Sequence, residues 1–430
     1  MKFSSLFLKR MLPTALAFGT AWAVRGQIGH EYGATWAAAI SIACVIALSG
    51  KEDWIARMPV IAALGAIAWG SGGMISYGQV VGYGHAPDFL NTSYGLLSLT
   101  LIGGLYGFMG GGITGLAMES VPGRKVNWAN VFVEMFVGGF LFWGFFIYQL
   151  EWFMTPPRSE LWAACAGASL ALGWHMYRNG YAHALRVAVY SSIGAGFGFG
   201  LGNFLQRMGH ASGIKFNWWN VMEYSIGFFS GLGMAFGIFS RKDWSRTITA
   251  DKASNIAGTV FLVVILPVIN IIEAAGAEKL FDEGKSLSVA DPGAFSLQWR
   301  LTLWILSALF MAIIFYIIKP SKTNLITQKK SGAFVLLYLL WHIMLSNIIS
   351  ATWLTPTFNS QHLYWVNLLV IGFMLHKNEK DDTYTSYEAS PRYIYNAIKL
   401  AALCILIILV LSFVAVSIDC VHPQGKLRFE

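Results

Sequence analysis

Apolar stretches long enough to cross about 30 Å of hydrocarbon recur along the chain. They fall near 8–24, 34–49, 58–80, 93–118, 129–150, 161–177, 185–206, 218–240, 255–275, 297–318, 333–350, 361–376 and 397–418, with the second, sixth and twelfth short. The pattern predicts an all-α polytopic membrane protein of about 13 transmembrane helices, because only closed hydrogen bonding within helices satisfies the backbone in lipid.

One stretch breaks the pattern. Residues 25 to 33, RGQIGHEYG, place Arg25, Gln27, His30 and Glu31 inside sequence that is otherwise apolar from Leu12 to Leu48. A charged side chain in hydrocarbon costs roughly 2.5–3.5 kcal/mol on insertion scales, so it persists where it faces protein, water or a ligand. Gly26, Gly29 and Gly33 permit close backbone approach and a helix break, which membrane depth tolerates beside a cavity. An outer loop between two helices is the plainer account of the same residues.

Charge sets the orientation. Threading the segments with the N-terminus cytoplasmic puts 21 of the 30 Lys and Arg residues on the cytoplasmic side and the C-terminus outside. The net charge of +8 therefore reports membrane topology rather than nucleic-acid binding. Ala21-Trp22-Ala23 resembles a signal-peptide cleavage site, but removing the first segment would invert the next ones against their charges. Only 12% of the 430 residues are charged and 56% are hydrophobic, which excludes a soluble domain. Cys44, Cys165, Cys404 and Cys420 lack zinc-ligand spacing and form no disulfide framework. Among the histidines, His175 with His183, or His342 alone, have the chemistry of metal ligands, but isolated interfacial histidines are the preferred reading; no metal or cofactor is expected.

Glycine divides the chain. Of 45 glycines, 38 precede residue 241. This marks 1–240 as a Gly-rich transmembrane core holding segments 1 to 8, followed by a Leu-, Ile- and Phe-rich part over 241–376. A polar cytoplasmic linker over 377–396 and a final helix with its tail over 397–430 complete the order. Gly276 to Ser296 reads as a solvated outside loop. Gly103, Gly107, Gly111 and Gly115 recur every fourth residue, as do Gly194, Gly198 and Gly202. Small residues at that spacing let helix backbones touch.

The chain also repeats itself. Lys125-Val126-Asn127-Trp128-Ala129-Asn130-Val131 returns as Lys215-Phe216-Asn217-Trp218-Trp219-Asn220-Val221, with Glu134 finding Glu223 downstream. By the charge topology the two copies lie on opposite sides, so the repeat is inverted. Thr35-Trp36-Ala37 is a weaker echo. Lys51-Glu52-Asp53-Trp54 with Arg57 is matched in the same orientation by Arg241-Lys242-Asp243-Trp244 with Arg246.

Three-helix inverted repeats nested in six-helix halves follow, and over segments 1 to 12 this layout resembles the major facilitator type of secondary transporter. Gly50-Lys51-Glu52-Asp53 with Arg57 only loosely shadows that family's loop signature, and the thirteenth segment departs from it. The resemblance implies alternating access, with segments 1, 4, 7 and 10 facing a central cavity. It supplies substrate-binding candidates there: Arg25, Gln27, His30, Glu31, Tyr106, Asn203, Gln206, Trp299 and Arg300.

Arg25 offers a fork for a carboxylate or phosphate, or a structural partner for Glu31. Glu31, Glu134 and Glu223 are candidates to carry a coupling ion, with helix-end packing the alternative for the last two. The expected function is ion-coupled secondary transport of a small polar solute, a sugar or acidic sugar, with the lipid bilayer as the other partner. The alternatives are a membrane-embedded transferase or hydrolase using His30 and Glu31 on a lipid-linked or polysaccharide substrate, and a non-transporting membrane subunit.

Overall fold

All thirteen apolar segments form helices in the computed structural model, which describes residues 5, 7–29, 31–156, 160–241, 244, 251–318, 326–352, 358–378, 393–418 and 424–429. The first six are α1 (Leu12–Ile28), α2 (Glu31–Ser49), α3 (Met58–Gly72), the short α4 (Gly78–Gly84), α5 (Phe89–Glu119) and α6 (Trp128–Gln149). Then come α7 (Leu161–Arg178), α8 (Ala182–Ala211), α9 (Trp218–Phe239), α10 (Lys252–Ala274) and α11 (Ala277–Ser286). The last are α12 (Pro292–Ile318), α13 (Gln328–Ile349), α14 (Ser360–Asn378) and α15 (Tyr393–Ser417). Among the described residues nine helices are long and apolar enough to cross a membrane: α2, α5, α6, α8, α9, α10, α12, α13 and α15. This is an all-α polytopic membrane protein.

Six helices close a ring in the order α1, α2, α3, α5, α8, α9, each packing on the next and α9 returning to α1. In lipid no hydrophobic effect drives helices together, so dispersion and close approach must hold the ring. The glycine stripes supply the approach. A Cβ at Gly103, Gly107 or Gly115 would stand 2.5 Å from the Ala195 carbonyl oxygen, 2.2 Å from that of Ser191 and 2.6 Å from Ala184 Cα. Likewise a Cβ at Gly194 or Gly198 would stand 2.3 Å from the Phe229 oxygen and 2.8 Å from that of Ser225. The α5 stripe therefore seats α8, and the α8 stripe seats α9.

As residue numbers rise along α5 the contacts on α8 fall, so these two repeat helices run antiparallel, the sense an inverted repeat requires. Their following helices begin identically. Asn127 accepts the Asn130 amide at 3.2 Å and Asn217 accepts the Asn220 amide at 3.1 Å, each as an N-cap. The shared sequence is thus a helix-start device. Thr35, in contrast, lies inside α2 rather than at its start, so Thr35-Trp36-Ala37 is not a third copy. The direct pair converges: Trp54 meets Trp244 edge-on with ring centroids 5.0 Å apart, and Lys51 Nζ donates to the Trp244 carbonyl at 3.3 Å.

Opposite ends of α5 fix two faces of the molecule, its 31 residues spanning about 46 Å. At its C-terminal end Arg57 donates to the carbonyls of Ala117 (3.0 Å), Met118 (3.2 Å) and Ser120 (2.8 Å), near the face where Arg10 reaches the Ser49 carbonyl. At its N-terminal end Asn91 receives the backbone amides of Arg428 and Phe429. Arg10 and the segment 424–429 therefore lie at opposite ends of α5.

Three expectations change. Segment 3, read as one span over 58–80, stops at Gly72; the chain breaks and restarts as α4, because Ser71, Gly72 and Gly73 weaken the helix where Tyr77 must turn inward. The outside stretch from Gly276 to Ser296 is largely helical: α11 buries Leu280 and packs on α12. Segment 10, expected to face the centre, is α12, which packs on α11 and α13 outside the ring. Most of the polar linker, 379–392, lies outside the described residues, as do Cys420 and His30 and the side chain of Glu31.

Candidate functional site

Aromatic side chains fill the middle of the ring. Trp22 of α1 meets Phe18, Trp69 of α3 and Tyr106 of α5 edge-on at 5.3, 6.2 and 5.9 Å, and Tyr106 in turn packs against Phe199 of α8 at 5.3 Å. Trp22, Trp69, Tyr106 and Phe199 are fully buried. Where a central cavity was expected, this aromatic plug fills the middle of the ring.

On the plug sits a buried ionic cluster. The Arg25 guanidinium lies over the Trp22 ring, 4.6 Å from its centroid, and donates to Glu223 Oε2 of α9 at 3.1 Å. It also donates to the Tyr77 hydroxyl, whose own proton goes to Glu223 Oε1 at 2.9 Å. Arg25 and Glu223 are both 0% exposed. The Tyr77 ring stacks on Trp219, one helical turn before Glu223, with centroids 6.4 Å apart and planes 11° off parallel.

Local sequence explains why three distant elements meet. Gly33 leaves room for the arginine stem, since a Cβ there would stand 2.8 Å from Arg25 Cγ. Gly29 has φ of +137°, which favours glycine, and a Cβ there would press on the Glu273 carboxylate at 2.8 Å. The break after Gly72 lets Tyr77 leave the helix line and turn into the ring. Gly26 is exposed, yet a Cβ on it would lie 3.6 Å from Glu223 Cγ, so the ion pair sits directly beneath the surface at that point.

A polar shell extends from the cluster into α13 and α14. Asn220 donates to Ser360 at 2.7 Å and to the Tyr364 hydroxyl at 3.0 Å. Asn367 donates to Thr20 at 3.0 Å and to Tyr224 at 3.1 Å. Gln27 accepts from Ser346 through its side chain, and from Lys279 of α11 at 2.9 Å through its carbonyl.

The other expected residues divide. Tyr106 joins the plug under the site. Asn203 and Gln206 of α8 are buried next to it, where Asn203 lies 3.1 Å from His85 Nε2 and Arg207 holds the carbonyls of Gly84 (3.3 Å) and Ala86 (2.8 Å). Glu134 is taken up in clasping α6 to α7, 3.1 Å from His175 Nδ1 and 2.6 Å from Arg178. Trp299 and Arg300 stand apart on α12, where Trp299 packs tilted against Phe295 with ring centroids 4.9 Å apart. Sequence reasoning did not single out Tyr77 and Trp219; a tyrosine just after a glycine-serine break, and the extra Trp beside the repeated Asn-Trp, were the available signals. Among the described residues no group of His, Cys, Asp and Glu could hold a metal ion.

A guanidinium held between a carboxylate, a phenol and an indole face binds carboxylate in a fixed plane, and the phenol can relay a proton to the acid. Comparison with protein-family models, with curated proteins and with solved structures finds no match.

Proposed function

We propose that the protein is a secondary active transporter of a small anionic solute, such as an acidic sugar, coupled to protons. The observation that carries the proposal is the fully buried Arg25–Glu223 pair bridged by Tyr77, at the junction of α1, α9 and the break before α4. Replacing such a pair by well-packed apolar residues is often neutral or stabilising, so a pair retained in a membrane core is better explained by function than by stability.

The coupling follows from charge balance. With Glu223 ionised, Arg25 is neutralised within the protein. Protonation of Glu223 through Tyr77 leaves Arg25 to accept the carboxylate of the solute, and the site keeps the same net charge in both states. One proton then travels with one monoanion. Trp219, half-buried beside the pair, supplies a flat apolar face of the kind that packs on sugar rings. The antiparallel repeat helices α5 and α8, meeting through glycines, are the elements expected to rock in alternating access. The face carrying Lys51 and Arg57 is assigned to the cytoplasm, with the N-terminus, from the Lys and Arg asymmetry.

The test is uptake by purified protein in liposomes, screened over labelled glucuronate, galacturonate, neutral sugars and simple carboxylates. Saturable uptake of an anionic solute that fails in Arg25→Ala supports the proposal. Uptake of neutral sugars alone, or of none of the panel, contradicts it.

A further inference from the structure

The short helix α4 is held from two sides. From within, Tyr77 reaches the ion pair and Arg207 grips the carbonyls of Gly84 and Ala86. From without, the tail segment 424–429 lies across it. The Lys426 amide donates to the Gly82 carbonyl at 3.0 Å and Lys426 Nζ to Gln79 at 2.6 Å. Asn91, at the start of α5, accepts the amides of Arg428 (2.6 Å) and Phe429 (2.9 Å) and donates to the Phe429 carbonyl at 3.0 Å. Arg428 also donates to the Phe153 carbonyl at 2.8 Å, and Phe429 packs edge-on against Tyr94 at 5.2 Å.

These contacts are specific in shape as well as in bonding. A Cβ at Gly82 would stand 2.9 Å from the Gln424 carbonyl oxygen and 3.0 Å from Lys426 Cγ, so the tail lies directly on the helix backbone. Two backbone amides and one carbonyl converge on the single side chain of Asn91.

We infer that residues 424–429 form a strap that latches α4 over the Arg25–Tyr77–Glu223 site, and that release of the strap opens the site to the face on which the tail lies. Because Tyr77 immediately precedes α4, movement of this helix withdraws the phenol that bridges arginine and carboxylate. The inference rests on the site being placed at those three residues and deepens the proposed function by naming its gate. Closure of the strap and closure of the cluster become one event.

The test needs no substrate, so its outcome is independent of the transport proposal. Val81 is buried on α4, and Val81→Cys in a Cys420→Ser background reports opening through its labelling rate with a membrane-impermeant maleimide. Labelling is expected to be at least tenfold faster when the chain is truncated after residue 423, and likewise in Asn91→Ala, which keeps the tail but removes its anchor. Gly82→Leu, which pushes the tail off the helix, should have the same effect if the truncated protein does not fold. Rates equal to that of the full-length parent in folded Asn91→Ala and Gly82→Leu, checked by monodisperse gel filtration, would overturn the strap.

Discussion

Arg25 and Glu223 stand 198 positions apart in the chain and 3.1 Å apart in space, both without solvent exposure. Each is the answer to the other's burial. Removing one partner leaves a buried charge without compensation, which costs roughly 3–5 kcal/mol. Arg25→Ala and Glu223→Ala are therefore each expected to lower thermal stability sharply in detergent. Arg25→Met combined with Glu223→Leu should recover most of that loss while remaining inactive. A double variant that transports as the parent does would leave the pair as packing alone.

Arg25→Lys tests geometry rather than charge. The guanidinium bridges Tyr77 and Glu223 while lying flat over Trp22, which an ammonium on a flexible stem cannot reproduce. Stability is expected to stay within about 2 kcal/mol of the parent, since a charge still faces Glu223. Transport is expected to fall at least as far as in Arg25→Ala. Parallel melting curves and uptake assays separate the two effects.

The repeated Asn-Trp motif makes a comparison within one molecule. Asn127→Ala and Asn217→Ala each remove an N-cap and should cost about 0.5–2 kcal/mol, by similar amounts. The third residues after them should differ. Asn220 is buried against Ser360 and Tyr364, while Asn130 is exposed, so only Asn220→Ala leaves buried partners unsatisfied. Its excess cost over Asn130→Ala is expected at about 1–3 kcal/mol in a stability assay.

Acid should loosen the start of α5. Partial burial would raise the Asp88 carboxyl, but bonds from the Asn91 amide and side chain outweigh it and hold the group below the usual carboxylate range. A carboxyl with a depressed folded pKa contributes stability that is fully present above its unfolded value and lost as pH falls through its folded value. Stability should therefore decline on that acid limb. Asp88→Asn should flatten the limb in melting curves recorded across pH.

The helices were legible because the signal is long and local. Twelve of the thirteen apolar runs became single helices and the third became two, and the seven-residue match marked two equivalent helix starts without naming Asn127 and Asn217 as their caps. The break at Gly72 was hidden because Ala, Gly and Val continue an apolar average even where the backbone turns. That Arg25 of RGQIGHEYG is buried against protein could be read from the cost of placing it in lipid. Its partner could not, because pairing α1 with α9 is a matter of ring closure, and the corresponding Glu of the repeat, Glu134, which stands one residue further from its Asn, serves a hairpin clasp instead. Tyr77 was missed for the same reason: the Ser71-Gly72-Gly73 break marks a turn in the chain but not where the phenol after it will reach.

The central claim is that one carboxyl, Glu223, carries the proton that travels with the solute. The most direct measurement is lumenal pH in proteoliposomes, followed with an entrapped dye while a transported anion is added outside with no imposed gradient. The account predicts acidification of the lumen by the parent protein, with one proton per monoanion entering. It predicts that Glu223→Gln still exchanges labelled for unlabelled anion but produces no acidification, because the amide mimics the protonated acid permanently. Acidification by Glu223→Gln equal to that of the parent would contradict the account, as would anion uptake by the parent with lumenal pH unchanged.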